Sequence, residues 1–220
     1  EGLRQEYHFW TTARHTPTGL QRHGHRDTAE GCINFYDNAL AKRLGKSNDA
    51  PRAQKITVGG HHLAEAETGW DFTPRFSGRC LDHNPADLNG LLHTYETFLG
   101  THAARLGWDD AALWDERAAE RRERTTRFLW SDAEGWFMDY DFVRERHSDV
   151  PSLGGMLPLF SGLATPERAA RAAAKIPEFE CEHGIAATPD LPAANGYQWA
   201  FPNVWPPLVW VTVAGLQRYG

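Results

Sequence analysis

The sequence predicts an all-α protein built from antiparallel helical hairpins. Three observations carry that expectation. Apolar residues recur at helical spacing over long segments, helix start and stop residues bracket those segments, and the junctions between them are short. Leu88, Leu91, Leu92, Tyr95, Phe98, Leu99 and Leu106 mark one apolar face. Asn84-Pro85 offers a cap and a first-turn proline, and Gly107 offers a left-handed stop. A two-residue junction then leads to a helix capped by Asp109. Leu113, Trp114, Ala118, Phe128 and Leu129 are its expected inner face, with the Glu and Arg run at 116–124 in water. Long helices so joined fold back on each other, and their recurrence suggests a layered helical array.

Taken in order, residues 1–27 are polar and rich in His, Arg and Gly, which predicts loop with at most one short helix. From Thr28 to Leu44, Ile33, Tyr36, Leu40 and Leu44 fall at helical spacing, and Gly45 follows as a stop. Residues 45–60 read as a linker, and His61–Ala66 as a short helix. The aromatic stretch 135–143 predicts a small hairpin or an extended loop. A helix is expected near Leu153–Leu163, and another from Thr165-Pro166 to Ile176, stopped by Pro177. Residues 177–197 read as loop, with Gly184-Ile185-Ala186 extended. The last helix is expected after Pro206-Pro207, carrying Leu208, Val211, Val213 and Leu216.

Length and charge narrow the function. A chain of 220 residues suits one domain or part of a larger one. A formal charge of -6 and a pI near 6.0 leave no basic footprint for nucleic acid. No apolar run approaches the roughly 18 residues of a membrane span. Cys32, Cys80 and Cys181 are odd in number and widely spaced, against both a disulfide framework and a zinc knuckle. Neither His23-Gly24-His25 nor His61-His62 has the spacing of a helical metal site, so no metal or cofactor is expected. No signal peptide is visible, and the chain, which begins at Glu1, reads as if entered mid-domain. Nine Trp supply core area and also flat faces for sugar rings.

The chemistry-bearing stretch is Glu67-Thr68-Gly69-Trp70-Asp71-Phe72. It sets one carboxylate between two large rings, directly after a glycine. Gly69 permits a backbone conformation or a close approach that a side chain would block. Trp70 and Phe72 can exclude water from Asp71, and desolvation disfavours the charged carboxylate, the condition a general acid needs. The competing reading makes Asp71 a helix cap beside two core aromatics. Arg14, Arg22 and Arg26 are either solvated charges or part of a polyhydroxyl site.

Two segments read together carry a resemblance. Ala66 to Phe76 is one. Gly196-Tyr197-Gln198-Trp199-Ala200-Phe201-Pro202-Asn203-Val204-Trp205-Pro206-Pro207-Leu208, with Gly215-Leu216-Gln217-Arg218-Tyr219-Gly220 after it, is the other. Asp87-Leu88-Asn89-Gly90, Trp136-Phe137-Met138-Asp139-Tyr140-Asp141, Leu157-Pro158-Leu159-Phe160 and Ala164-Thr165-Pro166-Glu167 match in order between them. Together they resemble the trehalase family of inverting glycoside hydrolases, whose QWDxPNxWxP and GLxxYG signatures the second segment is similar to. The resemblance covers most of the chain from about residue 61.

The resemblance implies an (α/α)6 toroid, here part of the ring, with 1–220 as part of a single catalytic domain lacking both ends. It implies hydrolysis of α,α-trehalose with inversion. Asp71 is then the general acid, with Gly69 and Trp199 contacting the sugar and Trp70 and Gln198 lining its site. Asn203 is expected to pin the loop backbone, and Trp205 and Trp210 to pack in the core. Asp139 and Asp141 are expected to tie down their hairpin. Three departures stand out. Ala200 replaces the family's Asp, and the upstream YYWDSYF segment is absent, Gln5 to Trp10 being only a faint echo of it. The general base, which the family places in a later glycine-rich loop, is expected outside this chain. The polypeptide alone is therefore expected to hydrolyse little or no trehalose. Two further alternatives are a toroid hydrolase for another small α-glucoside and an inactive sugar-binding or scaffold protein. Exposed ring faces suggest self-association, and the unpaired thiols lean towards the cytoplasm.

Overall fold

In a computed structural model of the chain, which describes residues 1–192 and 196–220, helices pair into layers and short strands fill the connections between them. Helix α1 spans Gly2–Ala13, and α2 spans Ala29–Phe35. α2 runs through a π-helical turn, Tyr36–Leu40, into the short α3, Ala41–Arg43. α4 is Arg52–Glu67, α5 Ala86–Leu106, α6 Ala111–Leu129, α7 Leu157–Phe160, α8 Pro166–Lys175 and α9 Pro206–Gln217. α5 packs along α6 and against α7, α2 packs on α4, and α7 packs on α9.

Strands β1 (His83–Asn84), β4 (Tyr140–Asp141) and β5 (Arg146–His147) form one antiparallel sheet in the order β1-β4-β5. β2 (Trp130–Ser131) pairs with β3 (Trp136–Phe137), and β6 (Glu180–Cys181) with β7 (Gly184–Ile185). β1 leads into α5, and β2 follows α6. The Gly69–Phe72 loop leaves the C-terminus of α4 for the same region. Pairing of His83 with Asp141 and Asn84 with Tyr140 links the two connections. The main core gathers beside them: Trp70, Trp136, Phe137, Leu153, Met156, Leu159 and Phe179 are buried together.

Several sequence expectations are overturned or extended, each for a packing reason. The one helix allowed for in residues 1–27 is α1, which takes up twelve of them, because Tyr7 is buried against Leu88, Leu92, Leu99 and Trp114, a face that local polarity hides. The linker read at 45–60 is largely helix α4. Gly59 belongs to that helix because a Cβ there would collide with the Cys32 carbonyl of α2, so the glycine marks close approach and not a break. Asn84 does not cap α5. Its amide donates to Thr16 and Gln21, while Asp139 Oδ1 accepts the Ala86 N–H at 2.9 Å from across the fold. Asp110, not Asp109, precedes α6, and its carboxylate accepts the Trp114 indole N–H.

The expected helix faces are also revised. Leu91, Phe98 and Leu106 are 46–60% exposed, so α5 buries a narrower stripe of Leu88, Leu92 and Leu99. Leu113 is exposed, and Arg121, inside the run assigned to water, is buried. Residues 153–163 divide into a 3-10 turn, Leu153–Met156, and the short α7. Pro177 lies within a 3-10 turn, Ile176–Phe179, and the loop that follows contains the β6–β7 hairpin; its residues 193–195 lie outside the described residues. Other readings hold. Helices start at the expected Thr28 and Thr165, which the structure shows to be caps accepting from the Gly31 and Arg168 N–H groups, and Gly107 ends α5 at φ +69. The three cysteines are unpaired.

Candidate active site

The loop that follows α4 is held at both ends by side chains of that helix's last turn. Thr68 Oγ1 accepts the Trp70 N–H at 2.8 Å, and Glu65 Oε1 accepts the Thr73 N–H at 3.1 Å. Between these ties Gly69 sits at φ +77, and nothing lies within 4 Å of where its Cβ would be. Conformation, not crowding, therefore requires the glycine. Phe72, two residues after Trp70, also has a positive φ of 61. A bulky residue there is strained, and strained residues cluster where geometry is functional. Asp71 is half-buried between Trp70, which is buried, and Phe72.

The second segment lies against this loop. The Trp199 N–H donates to the Phe72 carbonyl at 3.3 Å. The Trp70 and Trp199 rings have centroids 5.1 Å apart, and Trp205 stacks on Trp199 at 3.9 Å with planes 10° apart. Trp205 thus covers one face of Trp199, and Trp70 leans against the same indole. The Trp199 indole N–H is buried, with no acceptor among the described residues. Gln198 turns its amide oxygen to Arg43 Nη2 at 2.8 Å, while the Arg43 guanidinium lies 3.5 Å from the Phe72 ring centroid. Asn203 donates to the Tyr197 and Gln198 carbonyls and pins the loop as expected. Trp205 is half-buried, whereas Trp210 is 62% exposed on α9, a correction to its expected place in the core.

Two cavities flank the loop. One, of about 370 Å³, is lined by Trp10, His23, Glu67, Trp70, Asp87 and apolar residues of α5 and α9. The other, of about 270 Å³, is lined by Arg43, Leu44, Phe72, Gly196 and Tyr197. Asp71 is in neither lining set; its chain neighbours on either side divide the cavities between them.

Two ionic clusters support the loop, and sequence reading found neither. Glu67 accepts from Arg14 Nε and Nη2 and from the Gly24 N–H at 2.7 Å, and lies 3.5 Å from His23 Nδ1. Burial opposes its charge, but the His23, Arg14 and Gly24 donors prevail and hold its pKa at about 2. Arg14 is therefore a buried ion-pair partner. Arg22 donates to the Leu81 carbonyl, and Arg26 lies over the Phe9 ring. In the second cluster, Arg75 is fully buried between Asp139 and Asp87. Asp139 thus does tie down its hairpin, and so does Asp141, whose Oδ1 accepts the Val143 and Arg144 N–H groups. The available signal for Arg75 was an arginine four residues after Asp71, with two aspartates in the other matching segments. Nothing local to Glu67 points to Arg14, 53 residues away.

Helices paired into layers, with a strained, aromatic, carboxylate-bearing loop at a helix end, have the fold of the α/α toroid class. The comparisons agree with that class and sharpen it. A profile of the trehalase family matches residues 1–220, and the chain belongs to that family. A periplasmic trehalase of Salmonella choleraesuis is 34% identical over 243 residues, a match that takes in 99% of this chain and 41% of the relative. The neutral trehalase Nth1 of Saccharomyces cerevisiae superposes with a TM-score of 0.83 at 26% identity, covering 99% of this chain and 46% of that one. A mannosylglycerate hydrolase of Thermus thermophilus shares the fold, with a TM-score of 0.60 at 20% identity over 77% of this chain and 41% of its own. The chain spans about two fifths of the length of the curated relatives it matches.

Proposed function

We propose that these residues form the acid-bearing part of the catalytic domain of an inverting α,α-trehalase. The observation that carries this reading is the position of Asp71, between a glycine and a phenylalanine that both sit at positive φ and beside the Trp70–Trp199 contact. In the reaction, Asp71 hands its proton to the glycosidic oxygen as that oxygen's bond to the anomeric carbon breaks. Water adds to the opposite face and gives its own proton to a second carboxylate. The two carboxyl groups of such a pair stand roughly 6.5–9.5 Å apart.

Glu67, Asp87 and Asp139 flank the loop but are held by Arg14 or Arg75, and Glu65, 1% exposed, accepts the Thr73 N–H through one oxygen while its other oxygen has no partner among the described residues. The water-activating carboxylate is therefore proposed to come from outside these 220 residues. Gly69 and Trp70 shape the sugar site, and the unpartnered Trp199 indole N–H is a donor suited to a sugar hydroxyl. With its face against Trp205, Trp199 offers the sugar an edge rather than a platform. Gln198 reaches the sugar only if its amide leaves Arg43. A second reading, hydrolysis of another small α-glucoside, is favoured by one observation. Ala200 is buried where the family has Asp, so one polar group is absent beside Trp199.

Proton NMR of early products tests the proposal in the full-length protein. One α- and one β-glucose per trehalose are expected before mutarotation, and Asp71→Asn is expected to lower kcat by about 10²–10⁴-fold. Unchanged turnover in that variant, or α-glucose alone, refutes it. Its three unpaired thiols support a reducing compartment over an oxidising one. The Salmonella relative carries a periplasmic name, so cell fractionation is the deciding measurement.

A further inference from the structure

We infer that Arg75 is a positioning residue for the proton-donating loop: it sets the plane of the Trp70 indole and so fixes the turn that carries Asp71. The inference rests on the trehalase reading above and names a residue on which that site depends. Arg75 is fully buried, a state a guanidinium tolerates only when its charge is paired. Nε and Nη2 donate side by side to the two Asp139 oxygens at 2.9 and 2.8 Å, and Nη1 donates to Asp87 Oδ2 at 2.7 Å. Burial works against the charge, and the two carboxylates outweigh it.

A parallel two-bond fork fixes the plane of a guanidinium as well as its place. That plane is anchored to rigid parts of the fold. Asp139 Oδ1 also accepts the Ala86 N–H at the start of α5, and Asp87 Oδ1 accepts the Leu88 N–H at 2.8 Å. From there the Arg75 Cζ lies 4.3 Å from the Trp70 ring centroid and 4.9 Å from that of Phe76. Trp70 precedes Asp71 directly and leans on Trp199. Turning the guanidinium would tilt Trp70. The left-handed residues at 69 and 72 give the loop few alternative conformations in which to absorb that tilt.

Arg75→Lys in the full-length protein separates positioning from folding when two substrates are compared. Trehalose needs a proton on its leaving oxygen; α-glucosyl fluoride releases fluoride without one. A lysine keeps the charge but cannot form the planar fork or the stack. On trehalose, kcat is expected to fall by about 10²-fold, the cost of a misplacement on the order of 1 Å. On the fluoride, kcat should fall only with the fraction of protein folded. The ratio of the two rates does not depend on how much enzyme folds. Near-ultraviolet circular dichroism of the Trp70–Trp199–Trp205 stack should weaken while the far-ultraviolet spectrum holds. If Arg75→Lys does not fold, Asp87→Asn should shift the same ratio in the same direction by a smaller factor. An equal fall on both substrates with an intact stack signal overturns the positioning role. A wild-type protein that leaves trehalose intact would sink the trehalase reading instead, and the dichroism would still decide whether Arg75 sets Trp70.

Discussion

Helix α5 carries two buried charge clusters at different heights, and they are built on opposite terms. Near its start, Asp87 shares Arg75 with Asp139, and every guanidinium nitrogen has a carboxylate partner. Further along, Glu96 is 1% exposed and accepts from Tyr7 Oη at 2.7 Å and Arg121 Nε at 2.8 Å through one oxygen alone. Its other oxygen has no partner among the described residues. Arg121 turns its Nη1 to Gln21 and Asn89 instead. Ionisation follows. Carboxylates overcome burial at Arg75, whereas burial prevails at Glu96 and pushes its pKa up, and Tyr7 rises to about 12 through burial and its charged neighbour. A fully paired cluster in a low dielectric fixes an orientation; a part-paired one ties segments together with less angular control. The complete cluster lies against the Gly69–Phe72 loop, through Trp70.

The contrast breaks first at Asp139. Asp139→Ala removes two of the three bonds to Arg75 and the Ala86 cap, leaving a buried charge half-paired. It is expected to cost about 3–5 kcal/mol, read as a lower urea midpoint at unchanged m. A loss below about 1 kcal/mol would mean that the two clusters do not differ in kind.

Glu67→Gln comes next, at about 2 kcal/mol near neutral pH, for lost charge-assisted hydrogen bonds. Its folded pKa of about 2 lies below the ordinary glutamate value of 4.5. The stabilisation is thus complete above pH 4.5 and disappears as the pH falls towards 2. The deficit of the variant should shrink over that window on acidification. Glu96→Gln should cost about 1 kcal/mol, with the opposite slope. A folded pKa raised above 4.5 means that wild-type stability declines as the pH climbs through that raised value. The deficit of this variant should therefore shrink on alkalisation. Denaturation curves for both variants, taken from about pH 2 to neutrality, that move in parallel would remove the distinction between the clusters.

The hairpin of α5 and α6 was legible because its signals are local: apolar spacing, Gly107 at the turn and a short junction. The extent of helix α1 and the first half of α4 were not. Their apolar residues are few, and what makes them helical is a partner: α5 for Tyr7, and α2 for Gly59. The candidate loop could be picked out as Gly69 to Phe72, since a glycine before an aromatic-flanked carboxylate is itself a local pattern. Its supports could not. Arg14 meets Glu67 across 53 residues and Arg75 meets Asp139 across 64, and no periodicity spans such gaps. The exposure of Leu91, Phe98 and Trp210 was equally hidden, because helical spacing tells which residues share a face but not what covers it.

By itself, then, the sequence determined the helical class and the family, through motifs in order, and it singled out Asp71 as a candidate. Those depend on short-range chemistry: backbone propensity, capping and the identity of neighbours within a turn. Only the tertiary structure decided which charges are buried together, that the Arg75 guanidinium lies over the Trp70 ring, and that Trp205 covers Trp199. Ion pairing and ring stacking need groups brought within about 4–6 Å, and folding alone brings such distant residues that close.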